Sequence, residues 1–192
     1  MRDRLAIVVR LPADTVGIAR AAEQVRAGGV IVYPTETVYG LGADPFNADA
    51  LNRIFSAKGR NAAKALIVLI RGQDDLNTLV VEIPHKAQRL MEAFWPGPLT
   101  LVFQARPSLP EQLLGAGSTI ALRASDSPAV QTLLDHLCGP ITSTSANRSG
   151  DPPARSAAET SQALGGCIDL ILDGGPAPDA RPSTVVDVST GQ

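Results

Sequence analysis

Residues 29–44 read GVIVYPTETVYGLGAD, and this stretch decides what kind of fold the chain can adopt. Val30, Ile31, Val32 and Tyr33 form a β-branched and aromatic run, the pattern of a buried strand. Pro34 has no N–H to give to a ladder, so the strand is expected to end there. Three short polar residues follow, Thr35, Glu36 and Thr37, and then two glycines, Gly40 and Gly42. Those glycines are expected in a loop at the strand end, where ligands of α/β sheets bind and can approach the backbone closely. Farther on, Lys58 and Arg60 bring two cations to the end of a predicted helix. Hydroxyls at a strand end facing a cationic helix end suggest an anion-binding cleft.

The chain on either side repeats the alternation of strand and helix. Upstream, residues 5–9 read as a strand. Asp14 or Thr15 caps a helix running to about Arg26, with Ile18, Ala22 and Val25 inward and Gly28-Gly29 as its stop. Downstream, Asn47 caps a helix that shares Leu51, Ile54 and Phe55 on one face. A polar loop over 60–64 leads to a continuous apolar strand over 66–70. After a connector, a helix near 85–95 is expected to bury Leu90, Met91 and Phe94. Trp95-Pro96-Gly97-Pro98 then makes a rigid turn into a strand over 99–104.

Residues 119–123 give another strand. Ser127-Pro128 starts a helix whose inner face is Val130, Leu133, Leu134 and Leu137. Ile141 enters a short strand expected to break into the hydroxyl and amide run Thr142-Ser143-Thr144-Ser145-Ala146-Asn147. Ser156 and Glu159 have capping-box spacing. Strands over 170–172 and 183–188 flank a Gly/Pro loop. The pattern argues for one α/β domain over 1–192, built on a twisted sheet of mixed parallel and antiparallel strands flanked by helices.

Composition removes several classes of function. The chain has 192 residues, of which 44% are hydrophobic and 19% charged, with a net charge of −2. That is an ordinary globular balance, with no global field to attract nucleic acid. The longest clean apolar run, 65–70, is too short to cross a membrane, and the N-terminus lacks a signal-peptide pattern. A cytoplasmic protein with no membrane attachment is expected. Cys138 and Cys167 have no CxxC or Cys/His spacing and read as buried, reduced thiols. Neither GxxxxGK[ST] nor a convincing GxGxxG occurs, and His85 and His136 sit where neither forms a Ser-His-Asp arrangement or a metal site.

Hydroxyls and cations remain. Thr35 and Thr37 are either local turn hydroxyls or ligand contacts. Lys58 is either a cation favoured by the helix dipole or a ligand group. Arg123 ends an apolar strand, where a charge needs a partner. The run over 142–147 is either a solvated loop or a recogniser of phosphate or carboxylate. The residues alone reach an α/β protein with a concave cationic cleft for a polyanion or nucleotide.

In combination the motifs are far more specific. PTETVYGLGAD, AKGR, ALIVLI, FWPGPLTLVF, STIALRASDSP, STSANRSG and STVVDV, in that order, closely resemble the YrdC-type threonylcarbamoyl-AMP synthases in their short, single-domain form. The resemblance implies a YrdC-like fold and a nucleotidyltransferase that joins L-threonine, bicarbonate or CO2, and ATP into threonylcarbamoyl-AMP and pyrophosphate. It implies Mg2+ arriving with ATP, without a dedicated protein site. A downstream threonylcarbamoyl-transferase complex would use the product to modify adenosine beside the tRNA anticodon, and weak tRNA binding is a further expectation. By resemblance, Lys58 and Arg60 stabilise charge in the reaction. Together with Lys64, Thr119, Ser145 and Asn147 they bind ATP, while Thr37, Arg123, Ser143 and Ser183 bind L-threonine, Arg123 through the carboxylate. The chain departs from the family pattern at Asn61 and Ala65, where proline is common, and at Leu69, where many members have histidine. An RNA-binding module of the same fold, or a carbamoyl-transfer domain, is the alternative.

Overall fold

The computed structural model describes residues 8–59, 65–114, 118–178 and 183–190. In chain order the described elements are β1 (Val9–Pro12), α1 (Thr15–Arg26), β2 (Ile31–Tyr33), β3 (Gly40–Gly42), α2 (Ala48–Lys58), β4 (Ile67–Leu69), α3 (Gln73–Leu79) and α4 (His85–Phe94). They continue with β5 (Leu99–Gln104), β6 (Thr119–Arg123), α5 (Pro128–Leu137), β7 (Ile141–Ser145), α6 (Ala157–Leu164), β8 (Leu170–Asp173) and β9 (Thr184–Asp187). The helix starts follow local chemistry. Asp14 Oδ1 accepts the Gly17 N–H at 2.8 Å, and Asn47 Oδ1 accepts the Ala50 N–H at 3.0 Å, each satisfying a donor that the helix cannot. Gly59 ends α2 in the left-handed region at φ 56°.

Among the described residues nine strands form one sheet, ordered β1-β8-β2-β3-β7-β4-β6-β5-β9. β8 runs parallel to β1 and β2, β4 to β6, and β5 to β9. The pairs β2/β3, β3/β7, β4/β7 and β5/β6 are antiparallel, so the sheet is mixed.

Alternate residues of a strand share a face, and the register carries that alternation across the sheet. One face carries Val32, Leu41, Val68, Leu101, Phe103, Ile120, Leu122 and Ile171. It is packed by Leu51 and Ile54 of α2, Leu76 and Leu79 of α3, Ala87 of α4, and Ala157 and Leu164 of α6. Burying each large aliphatic side chain there contributes roughly 1.5–3 kcal/mol. The other face is covered over only part of its width. Ile31, Tyr33, Leu69, Ile141, Leu170 and Leu172 lie beneath Ile18, Ala22 and Val25 of α1 and Val130, Leu133 and Leu134 of α5. Farther across the same face the register brings up Gly40, Ser143, Ser145, Ala121 and Thr119, mostly small or hydroxylic residues around Ile67, and neither α1 nor α5 extends over them.

The structure corrects several expectations. Gly40–Gly42 is strand, not loop: Gly42 lies so close to β7 and Tyr33 that a Cβ there would meet Thr142 O at 2.2 Å and the Tyr33 ring at 2.9 Å. The hydroxyl run does not break the strand at Ile141, because residues 141–145 form β7, paired on both sides. The first described strand begins at Val9, and residues 5–7 of the expected 5–9 strand lie outside the described residues. The connector before α4 contains α3. In α4 only Ala87 is buried, while Leu90 and Met91 pack partly against the core and Phe94 is exposed. Both cysteines are exposed rather than buried.

Candidate active site

The uncovered part of the sheet floors a cavity of about 480 Å³. Arg123, Ser143, Ser145, Gly40 and Ile67 line it from the strands, Thr35 and Thr37 from the loop after β2, Pro153 and Arg155 from the segment after β7, and Pro178 and Ser183 from the approach to β9. Five sequence-predicted residues therefore meet in one place: Thr37, Arg123, Ser143, Ser145 and Ser183.

The walls are held by backbone and hydroxyl bonds. Thr35 Oγ1 donates to the Val38 carbonyl at 2.6 Å and accepts the Thr37 N–H at 3.2 Å, fixing a turn that presents Thr37. Tyr39 Oη donates to Gly175 O at 2.6 Å and accepts the Gly174 N–H at 3.1 Å, which ties the Gly/Pro segment to the cavity wall. The Ala177 N–H reaches Arg155 O at 2.7 Å. Tyr33, beside Gly40 on the same face, donates to Thr142 O at 2.9 Å, and burial pushes its phenol well above the usual range although the Ser143 hydroxyl acts to lower it.

Arg123 is 4% exposed. Its Nη2 lies 3.3 Å from Glu36 Oε1, a contact across the loop after β2. Arg123 Nε and Glu36 Oε1 are both buried without a hydrogen-bond partner among the described residues, whereas Glu36 Oε2 accepts the Ser125 hydroxyl at 2.5 Å. Sequence reasoning assigned no role to Glu36. No sequence signal pointed to its partners, which lie 87 and 89 residues away. Arg155 was also missed. It follows the STSAN motif by only a few positions, and its basic character in a loop was the available signal.

The ATP-side candidates occupy a second cluster. Lys58, 3% exposed at the end of α2, donates from Nζ to the carbonyls of Ser145 and of Asn147, the latter at 2.7 Å. Its own carbonyl accepts the Ser149 N–H at 2.8 Å. The structure thus brings Lys58, Ser145 and Asn147 together, with the ammonium bonded to backbone. Asn147 Nδ2 donates to Arg148 O at 2.8 Å and Asp151 O at 2.7 Å, while its Oδ1 is buried without a partner among the described residues. Thr119 opens β6 and shares the cavity face with Arg123, but four residue steps along the strand separate them by roughly 13 Å, and it does not line the cavity. Arg60 and Lys64 lie outside the described residues. Leu69 is fully buried opposite Arg123 in the β4/β6 register, beneath α1 and α5.

A shielded guanidinium among hydroxyls can bind a carboxylate, and a nearby ammonium can attract a second anion. The family profile Sua5_yciO_yrdC, described as Telomere recombination, matches residues 23–192. The chain is 39% identical over 175 residues to the threonylcarbamoyl-AMP synthase of Pseudomonas fluorescens strain Pf-5, covering 91% of this chain and 94% of that one. The solved structure of P. abyssi Sua5 complexed with L-threonine superimposes with a TM-score of 0.87 at 40% identity, covering 95% of this chain and 54% of that one, so this chain spans about half of it. The crystal structure of E. coli YciO gives a TM-score of 0.83 at 30% identity, covering 96% and 90%. With the ordered motifs, the mixed sheet and a profile match over most of its length all in agreement, the chain belongs to the Sua5/YciO/YrdC family.

Proposed function

We propose that the chain is an L-threonylcarbamoyladenylate synthase, a nucleotidyltransferase that converts L-threonine, bicarbonate and ATP into threonylcarbamoyl-AMP, pyrophosphate and water. The observation that carries this reading is Arg123, a buried guanidinium on the floor of a hydroxyl-lined cavity. Relatives about 40% identical bear the synthase name, and a similar structure is a complex with L-threonine.

The chemistry suits these residues. The threonine amine adds to CO2 from bicarbonate and loses a proton, giving a carbamate. A carbamate oxygen attacks the α-phosphorus of ATP, and the bond to the β-phosphate oxygen breaks to release pyrophosphate. No protein nucleophile is required. The barrier lies in bringing anions together, which positioning and fixed positive charge lower. In this reading Arg123 holds the threonine carboxylate, and Thr37, Ser143 and Ser183 bond the rest of the amino acid. Lys58, Arg60 and Lys64 face the phosphates, with Ser145, Asn147 and Thr119 completing the nucleotide side. Mg2+ would enter on the ATP phosphates. A transferase complex acting on tRNA would consume the product in the cytoplasm. Among the described residues no helix is long and apolar enough to cross a membrane.

The test is pyrophosphate release from ATP and bicarbonate with and without L-threonine, with mass-spectrometric detection of threonylcarbamoyl-AMP. Release that depends on threonine and yields the adenylate is the expected result. Release indifferent to threonine, or an RNA affinity that falls steeply with salt in a protein without synthase activity, would overturn the reading.

A further inference from the structure

The ion pair beside the cavity is built around an anchored carboxylate. Glu36 is anchored on one side by Ser125, whose hydroxyl donates to Oε2, and its other oxygen faces Arg123 Nη2. Ser125 is itself fixed, because its hydroxyl accepts the Ser127 N–H at 3.2 Å and its carbonyl accepts Gln131 Nε2 at 3.3 Å from α5. The side chains of Arg123 and Glu36 are 5% and 15% exposed, so solvent screens the pair weakly. The 3.3 Å separation lacks hydrogen-bond geometry, and Arg123 Nε is left without an acceptor. Glu36 therefore holds the guanidinium in place without satisfying it.

We propose that Glu36, locked by Ser125, is the positioning residue of Arg123, holding its guanidinium by one edge so that the remaining N–H groups stay aimed at the carboxylate of an incoming α-amino acid. This rests on the reading of Arg123 as the carboxylate-binding group. An arginine without such a tether must lose side-chain freedom when the ligand binds, and that loss weakens affinity. A tether that pulled the guanidinium fully into hydrogen bonds would instead compete with the ligand. A loose, charge-paired contact orders the group and leaves donors unused.

The experiment measures binding rather than turnover. L-threonine, L-threoninol (which lacks the carboxylate) and a non-hydrolysable ATP analogue are titrated by calorimetry and NMR into wild type, Glu36→Gln and Ser125→Ala. L-threonine affinity is expected to fall about tenfold in Glu36→Gln and less in Ser125→Ala, the cost of freeing one rotamer-rich side chain and loosening its anchor. Threoninol and the ATP analogue should shift less than about twofold, because neither uses the tethered fork. An equal loss for L-threonine and threoninol would overturn the proposal, as would unchanged or tighter L-threonine binding in Glu36→Gln. Should Glu36→Gln not fold, Ser125→Ala with the same ligand pair decides the matter. Wild type that fails to bind L-threonine would instead refute the reading of the site itself.

Discussion

Among the described residues the molecule buries two cations, Arg123 and Lys58, and treats them differently. Arg123 is 4% exposed and Lys58 3%, so neither is solvated in the ordinary way. Arg123 meets a carboxylate, keeps a nitrogen without an acceptor, and lines the cavity. Lys58 meets backbone carbonyls and clasps the end of β7 to the end of α2. Burial shows only that a charge needs partners. The chemistry of the partners distinguishes a charge kept ready for a ligand from one that also fastens the chain.

The largest effect should come from breaking the first cation. Arg123→Ala removes the carboxylate-binding group and leaves Glu36 poorly solvated and unpaired, which costs about 3 kcal/mol of stability. Urea unfolding should show that loss, and threonine-dependent pyrophosphate release should fall to background. The double variant Arg123→Ala/Glu36→Gln should regain part of the stability but none of the L-threonine binding. Recovery of binding in the double variant would mean that Arg123 serves Glu36 rather than the ligand.

Lys58→Met is next. It strips a donor from two carbonyls, at a cost of about 1–3 kcal/mol for each left unsatisfied, less wherever water replaces it. If Lys58 also faces the phosphates, transition-state stabilisation should fall by about 2–4 kcal/mol beyond what unfolding explains. Steady-state kinetics on the folded fraction separates the two roles. Loss of activity in step with loss of fold would leave Lys58 as a clasp alone.

A scaffold change should not distinguish the two cations. Gly42→Ala would place a Cβ 2.2 Å from Thr142 O, and the backbone must shift to admit it. Overpacking of this kind costs about 1–3 kcal/mol. Because β7 carries both Ser143 toward Arg123 and Ser145 toward Lys58, affinity for L-threonine and for the ATP analogue should fall together. A loss confined to one ligand would show that the two sides of the site are not coupled through β7.

These contrasts follow the line between what the sequence could and could not specify. α1 and α2 were legible because an Asp or Asn cap leads directly into an apolar stripe at helical spacing. β5 and β6 were legible because apolar runs flank turn residues. β3 and β7 were not, because Gly-Leu-Gly and Thr-Ser-Thr-Ser carry little local strand preference and become strands only through mutual pairing. The hydroxyls and Arg123 could be named as candidates from local context and family motifs. Their common face required the register of β4, β6 and β7. Glu36 escaped because its role lies in a contact with Arg123 and Ser125, far along the chain. Phe94 shows the opposite failure: an apolar residue at helical spacing that the tertiary structure leaves exposed.

The smallest expected effect concerns a surface pair that contrasts with Arg123 and Glu36. The Arg10 guanidinium donates to Asp173, and that bond, with the Gly175 N–H, holds the Asp173 carboxyl below the usual range despite some burial. A carboxylate whose folded pKa is depressed contributes stability that is complete above its unfolded pKa of about 3.9 and is lost as pH falls through the folded value. The side chains are 53% and 27% exposed, so screening keeps the contribution below about 1 kcal/mol. The thermal midpoint of wild type should exceed that of Asp173→Asn by a constant margin above about pH 5, and the margin should shrink below about pH 4. High salt should narrow it as well. A margin independent of both pH and salt would assign Asp173 to neutral hydrogen bonding with Gly175 and Tyr39, and the charge on Arg10 would then have no share in holding the cavity wall.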